Sequence, residues 1–324
     1  MEHLIDIVLL GLLMITGFAI VRMRSLLAVA MLTSIYSLLS AALFEALDAV
    51  DVALTEAAIG AGISTILLLA TIALTTDEEK APRHTPFLPL LVVTATGAAL
   101  IYGTLDMPHY GDPAAPAHLH VAPTYLQDTP GEIGVPNVVT SVLASYRGYD
   151  TLGEVTVIFT AGAGVLALLR YRTRRRNSQG PGNRKLVVLR VIAKLFCPLI
   201  LLFALYIQFH GDYGPGGGFQ AGVIFATGFI LYALAFGLGN AQRVIPHRML
   251  HIMMAVGVLI YAGVGIESML LGGKFLEYRV LAEDPVTGQH LGIMFIELGV
   301  GITVAAVMLI IYYGFVSRQR SGDM

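Results

Sequence analysis

Five ionisable residues stand inside long apolar stretches of this sequence and are its first candidates for chemistry. They are Glu56, Glu154, Lys194, Glu267 and Glu297. A charge in hydrocarbon is costly, so an ionisable side chain inside a membrane span is a functional candidate unless it lies at the interface. A carboxylate can hold a proton or a cation in turn, and a nearby lysine changes that balance through its charge. The predicted chemistry is therefore ion binding and transfer, without a covalent step.

Depth and neighbours distinguish the two glutamates of the first half of the chain. Glu56 comes five residues after Asp51, which places it roughly 7 Å below the outer surface at the helical rise per residue. Small residues on the same face let another helix or water approach it, and an interfacial cap is the alternative. Glu154 follows Arg147 and Asp150, so an ion pair and a proton relay both remain open.

The second half of the chain holds the other three candidates. Lys194 lies roughly 12 Å from the inner surface, where it either extends its amine to the interface or carries protons with a shifted pKa. Glu297 lies near 10 Å from the outer surface with apolar neighbours on both sides, whereas Glu267 lies close to that surface. All four glutamates fall in the outer halves of their spans. We therefore expect at least two of them to line one hydrated path.

The segment "FHGDYGPGGGFQAG" at 209–222 is the most unusual stretch of the sequence. It does not end in Gly-Lys-Ser/Thr and does not follow a strand, which argues against nucleotide binding. It is predicted to form a tight outer turn between two spans, with free N–H groups that Asp212 caps or that attract an anion. Its predicted structural residues are Pro215, Gly216, Gly217, Gly218, Phe219 and Gly222, and its proton-handling candidates are His210 and Asp212.

Composition defines the class of protein that must position these residues. The 324-residue chain is 56% hydrophobic and 13% charged, against about 25% charged residues in soluble domains. Its apolar runs are close to the length that crosses a bilayer as a helix, and they lack the alternation of a barrel. We predict an all-α, polytopic membrane protein. A net charge of −2 argues against nucleic acid, and the one cysteine cannot hold a cluster, so no cofactor is expected.

About nine spans follow from the apolar runs. They are roughly 4–21, 26–45, 53–75, 86–105, 151–170, 187–209, 218–239, 248–271 and 291–316. With positive residues inside, the N-terminus is predicted to lie outside and the C-terminus in the cytoplasm. A polar linker is predicted at 174–185, and a long outer loop at about 106–136. The loop histidines His109, His118 and His120 have no cysteine or nearby carboxylate to complete a metal site, so no metal is expected.

Three segments resemble known membrane proteins. "HGDYGPGGGFQAGVI" resembles the signature of the MnhB/MrpB component of multisubunit Mrp-type sodium/proton antiporters and of the related MbhF-type hydrogenase component. "DVALTEAAIGAGISTILLLATIALT" resembles the MbhD-type module, and "NVVTSVLASYRGYDTLGEVTVIFTAGAGV" is similar to the MbhE-type module. The resemblance implies a fusion of a D-like three-helix module (1–78), an E-like module with two helices and the long loop (79–176), and a B-like four-helix module (186–324).

The resemblance also implies a function. It suggests a multi-pass component of a cation/proton antiporter in the bacterial cytoplasmic membrane, assembled with large antiporter-like A and D subunits and small C, E, F and G subunits. The transported ions would be Na⁺ and H⁺, with Glu56 and Glu154 on the ion path. Asp212 stands where a histidine is often found, so that histidine's role does not transfer. The long antiporter-like bundles are absent, and we do not expect this chain to transport alone.

Two other functions remain open at the level of sequence. The same modules occur in the membrane arm of redox complexes such as membrane-bound hydrogenases, where a partner oxidoreductase supplies the energy. A scaffold that only holds larger transport subunits is the third interpretation.

Overall fold

The computed structural model describes residues 2–75, 77–79, 87–169 and 187–322. Nine helices in these ranges are long and apolar enough to cross a membrane, as predicted. They are α1 (Glu2–Arg22), α2 (Leu26–Ala46), α3 (Val50–Ile72), α4 (Phe87–Thr104), α5 (Gly148–Leu169), α6 (Val187–His210), α7 (Gly218–Phe236), α8 (His247–Leu270) and α9 (Pro285–Gly322). The described ranges contain no strand beyond an isolated antiparallel bridge between Ser25 and Glu78. The protein is therefore an all-α, multi-pass membrane protein.

Shorter helical segments connect the spans. Between α4 and α5 they are Ala117–Val121, Ala122–Gln127, Thr129–Glu132, Val138–Thr140 and Ser141–Tyr146, and later in the chain they are Leu238–Val244 and Tyr278–Leu281. The predicted linker at 174–185 lies outside the described residues. The predicted module limits and the orientation of the termini stay predictions.

Helix α9 forms the centre of the bundle. It packs against α5, α7, α8 and the second half of α3, and 67% of its most apolar stretch is buried, against none for α1 and α4. Small residues allow the helices to pack this closely. A methyl group on Gly222 of α7 would lie only 2.6 Å from the carbonyl oxygen of Gly301 on α9, which is too close for a side chain there. Gly222, one of the predicted structural residues, therefore lies where α7 and α9 pack closely. The helix starts at Pro285, six residues before the predicted start of the span at 291.

Helix α3 changes its geometry in the middle. Val50–Glu56 and Ser64–Ile72 are α-helical, whereas Ala57–Ile63 forms a π-helix directly after Glu56. The π-helical segment, "AAIGAGI", is built of small and apolar residues and packs on α2 and α7. The hydroxyl of Ser34 on α2 donates to the carbonyl of Ala61 at 3.2 Å, which satisfies one backbone acceptor of the wider turn. Such π-helical turns often occur at functional sites.

Candidate functional site

A cavity of about 600 Å³ opens among α3, α5, α7, α9 and the segment 138–146. Its walls are mostly apolar, with Val155, Ile158 and Phe219 among them. Three carboxylates from different parts of the chain reach this space: Asp51, Glu154 and Glu297. No Lys, Arg or His appears among the described residues that line it. The cavity therefore brings together two of the predicted ion-path glutamates and Asp51.

The carboxylate of Glu297 lies directly against the glycine loop, which we define as His210–Gly218. A methyl group on Gly217 would lie 3.1 Å from Oε1 of Glu297, and one on Gly211 would lie 3.2 Å from Oε2. Gly217 adopts φ of +113°, a conformation that favours glycine, and its N–H donates to the carbonyl of Ile207 at 3.1 Å. The turn thus folds back on the end of α6 and leaves room for both carboxylate oxygens. The loop was expected to be mainly structural, whereas the structure makes it one wall around Glu297.

Asp51 holds the loop from the other side. The backbone N–H of Gly216 donates to Oδ1 of Asp51 at 3.3 Å, across 165 residues of sequence. One turn further along α3, the hydroxyl of Thr55 accepts a hydrogen bond of 2.8 Å from Nε2 of Gln220. A carboxylate near free N–H groups at a helix start is electrostatically favourable. The sequence-based expectation was that Asp212 caps the free N–H groups of this turn or that they attract an anion, and in the structure the Asp51 carboxylate accepts from one of them.

Asp212 has a different partner. Its Oδ2 lies 3.4 Å from Nδ1 of His290, which stands on α9 two turns before Glu297. The two side chains are partly exposed, at 22% and 34%. The sequence analysis overlooked His290 because it lies one residue before the predicted start of the ninth span at 291. If the ninth span had been predicted to start earlier, the seven-residue spacing would have placed His290 and Glu297 on the same face of one helix. That spacing was the signal available in the sequence.

Residues that precede α5 hold the loop backbone. The side-chain amide of Asn137 donates to the carbonyls of Gly211 and Gly214 at 3.1 and 2.9 Å. The hydroxyl of Thr140, which is buried, donates to the same Gly211 carbonyl at 2.7 Å. Sequence reasoning assigned no role to these two side chains. An asparagine directly after Pro136 does signal a helix N-cap, and Asn137 accepts from the N–H of Val139.

Glu154 is exposed and lies at the rim of the cavity on α5. Arg147 pairs with Asp150 at 2.6 Å rather than with Glu154, and both paired side chains are more than half exposed. The α5 start is fixed by two buried tyrosines: Tyr261 donates to the carbonyl of Gly148 at 2.6 Å, and Tyr278 donates to that of Ala144 at 2.9 Å. Burial raises the pKa of the Tyr278 hydroxyl, which keeps it a donor.

Glu56 points to a separate place between α2 and α3. A methyl group on Gly60 would lie 2.7 Å from Oε1 of Glu56 and would also collide with the side chain of Ser37. Ser37 is buried, with 7% of its surface exposed. Glu56 is not among the residues that line the cavity. It therefore occupies a second carboxylate site, at the entry to the π-helical segment.

The structure does not bring the remaining candidates to the cavity. Lys194 on α6 and Glu267 on α8 are exposed and do not line it. His210 closes α6 and stacks on Tyr206 with ring centroids 4.9 Å apart. Within the described part of the chain, no group of three His, Cys, Asp or Glu side chains is arranged to hold a metal ion.

Three family models match successive parts of the chain. The MBH models of the D-type and E-type subunits match residues 11–77 and 89–185, and "Domain related to MnhB subunit of Na+/H+ antiporter" matches 188–310. The "Putative antiporter subunit mnhB2" of Staphylococcus aureus (strain Newman) is 37% identical over 128 residues, which are 36% of this chain and 90% of that protein. The probable A/B component of a K(+)/H(+) antiporter from Rhizobium meliloti (strain 1021) is 29% identical over 220 residues, 59% of this chain.

Two solved structures share the fold. The Mrp complex from Dietzia sp. DQ12-45-1b superposes with a TM-score of 0.76 and 27% identity over 95% of this chain. The membrane-bound sulfane sulfur reductase, an archaeal respiratory membrane complex, gives a TM-score of 0.56 and 34% identity over 70% of this chain and 96% of that one. This chain spans only 22% of the Rhizobium protein and 34% of the matched Dietzia chain. The chain belongs to the MnhB family of antiporter subunits and carries MbhD-type and MbhE-type modules ahead of its MnhB-type module.

Proposed function

We propose that this protein is one component of a multisubunit monovalent cation/proton antiporter and contributes carboxylates to the ion path. The relatives named as antiporter subunits and the likeness to the Mrp complex support this proposal. Na⁺ and H⁺ are the proposed ions. The proposed partners are the large antiporter-like A and D subunits and the small C, E, F and G subunits. The proposed location is the bacterial cytoplasmic membrane, with the N-terminus outside and the C-terminus in the cytoplasm.

The observation that carries the proposal is the charge of the cavity. Asp51, Glu154 and Glu297 line one space whose described lining provides no basic side chain. Carboxylates in such a place need a compensating positive charge, and a proton or a small cation supplies it. Sites that exchange one for the other perform the elementary step of antiport. Glu297 is the central group because it is the member of this set most enclosed by the glycine loop.

The other ion-path candidates take different positions in the proposal. Glu56 provides a second carboxylate site beside Ser37, outside the cavity. Lys194 and Glu267, which are exposed on α6 and α8, are proposed to meet partner subunits or headgroups rather than the ions in the cavity. His210 and Asp212 belong to the same loop, and His290 lies beside it. These three residues are proposed to handle protons at the outer side of the loop.

Ion flux through the assembled complex tests the proposal. The chain is produced together with the other subunits in an antiporter-deficient host, and Na⁺- or K⁺-dependent proton movement is measured in everted vesicles. Glu297→Gln is expected to reduce flux to background, because the glutamine amide cannot take up and release a proton and has no negative charge to bind a cation. Glu283→Gln, at an exposed position that does not line the cavity, serves as the matched control and is expected to retain flux. Wild-type flux in Glu297→Gln, at normal assembly, contradicts the proposal.

A redox-driven ion pump is the second candidate function. The likeness to the sulfane sulfur reductase complex covers nearly all of that solved chain, and two of the family models carry the description of MBH subunits. Purification of the intact complex distinguishes the two candidates. A complex that contains an oxidoreductase component supports the redox-driven pump, whereas antiporter subunits alone support the antiporter.

A further inference from the structure

Asn137 makes an unusually complete set of hydrogen bonds with the glycine loop. Its backbone N–H donates to the carbonyl of Asp212 at 3.0 Å. Its side-chain amide donates to the carbonyls of Gly211 and Gly214 at 3.1 and 2.9 Å. A primary amide has two N–H donors, and both are used here. One residue therefore fixes three carbonyls of a loop that is 74 or more positions away in sequence.

The bonds converge on the part of the loop that faces Glu297. The carbonyl of Gly211 accepts from both Asn137 and Thr140, so its peptide group is held from two directions. The Cα of this residue faces Oε2 of Glu297, with a methyl group there lying 3.2 Å from that oxygen. Any displacement of this peptide changes the space and the dipoles around the carboxylate.

We propose that Asn137 is a positioning residue for ion binding at Glu297, acting through the glycine loop. This inference rests on the proposed antiport function. It links two modules: the segment before α5 sets the loop geometry, and the loop sets the surroundings of a carboxylate on α9. Thr140 supports the same peptide with one further hydrogen bond.

The chemistry of the contact dictates the choice of substitution. Asn137→Asp keeps the size of the side chain and its ability to accept from the N–H of Val139. It replaces the NH2 group, which carries both donors, by one carboxylate oxygen, which then faces the carbonyls of Gly211 and Gly214 and repels them. Thr140→Val is the milder second variant, since it removes one donor to the Gly211 carbonyl and preserves shape. Asn240→Asp is the matched control, because Asn240 is exposed on the short helix Leu238–Val244.

The experiment measures half-saturating Na⁺ and the pH profile of flux in vesicles that hold the complete complex. Asn137→Asp is expected to raise half-saturating Na⁺ about tenfold, the effect of a hydrogen-bond loss of ordinary size, and to displace the pH profile. Thr140→Val is expected to act in the same direction by about threefold, and Asn240→Asp to match the wild type.

The outcomes separate positioning from a structural role. A lower maximal rate with unchanged half-saturation and pH profile overturns the inference, because that result indicates fewer intact complexes only. If Asn137→Asp fails to assemble, Thr140→Val decides, and an unchanged half-saturation in that variant overturns the inference. Loss of flux in Glu297→Gln together with wild-type kinetics in Asn137→Asp rejects this inference alone, whereas wild-type flux in Glu297→Gln rejects the proposed function itself.

Discussion

Gly217 and Glu297 face each other so closely that a methyl group on Gly217 would lie 3.1 Å from Oε1 of the carboxylate. The two residues belong to a turn and to a central helix, and 80 positions separate them in sequence. The turn is shaped by glycine, while the charge comes from α9. In the proposed ion site the two residues therefore form one unit, since the turn provides the space and α9 provides the charge.

Gly217→Ala is predicted to impair flux more than its backbone strain explains. Alanine at φ of +113° costs about 1–3 kcal/mol, and the added methyl group also points at Glu297. Gly237→Ala is the control, because Gly237 has φ of +92° and open space around the position of its absent side chain. Thermal unfolding is expected to show similar losses in both variants, whereas vesicle flux falls in Gly217→Ala only. Equal flux in the two variants contradicts a role for this contact.

The Thr55–Gln220 hydrogen bond is predicted to couple the first and last modules. Nε2 of Gln220 donates to Thr55 at 2.8 Å, and Gln220 is buried. Thr55→Val leaves this amide without its partner and is expected to cost about 1–3 kcal/mol, as is Gln220→Met. A double-mutant cycle on the purified protein is expected to show a coupling of about 1 kcal/mol. Strictly additive losses would show that the bond does not join the modules energetically.

Asp284 is predicted to stabilise the start of α9 in a pH-dependent way. Its Oδ2 accepts from the N–H and the hydroxyl of Thr287 at 2.9 and 2.7 Å, and these bonds lower the pKa of the carboxyl. Because the pKa is lowered on folding, the stabilisation is complete above the ordinary aspartate pKa of about 3.9 and is lost as pH falls through the lower folded value. Hydrogen exchange in the first turn of α9 is expected to be faster in Asp284→Ala at pH 6.

The difference between Asp284→Ala and the wild type is expected to shrink as the pH falls below about 3.9 and through the lowered pKa of the folded Asp284 carboxyl, where the wild-type side chain takes up its proton. Glu283→Ala provides the control for the loss of a negative charge at the neighbouring exposed position. A difference that stays constant through this range of pH would assign the effect of Asp284 to something other than its ionised carboxylate.

Tyr278→Phe is predicted to destabilise the segment before α5. The Tyr278 hydroxyl is buried and donates to the carbonyl of Ala144, so its removal leaves a buried acceptor unpaired at a cost of about 1–3 kcal/mol. Tyr213→Phe is the control, since Tyr213 is exposed. Denaturant or thermal unfolding in detergent measures both, and equal stability of the two variants would contradict the assignment.

The number and type of the helices were predictable from sequence, and so was the family. An apolar run of bilayer length predicts a helix directly, because lipid cannot form hydrogen bonds with backbone N–H and C=O groups and a helix satisfies them within the segment. The glycine segment and the "RGYDTLGE" segment identified the modules. The expected start of the ninth span was wrong by six residues, because "DPVTGQH" is polar and its helical state depends on contacts with Tyr278–Leu281 and on the Asp284 cap.

The candidate site was predictable only in part. Glu154 and Glu297 were identified as separate candidates because a charged side chain in hydrocarbon is energetically costly. That they share a cavity with Asp51 is a result of helix packing. The expectation that Asp212 caps the glycine turn failed, since α3 delivers Asp51 to the N–H of Gly216 and α9 delivers His290 to Asp212. Partners so distant in sequence leave no local pattern.

By itself the sequence determined that this protein is a helical membrane protein with carboxylates in its spans and a glycine turn between α6 and α7. Those properties are local, because hydropathy, helix length and backbone freedom act within one segment. The tertiary structure alone decided that the turn encloses Glu297, that Asn137 and Thr140 fix the turn, and that Glu56 faces Ser37 instead of the cavity. These relationships depend on the rotation and depth of each helix against its neighbours, which side-chain packing sets across the whole bundle.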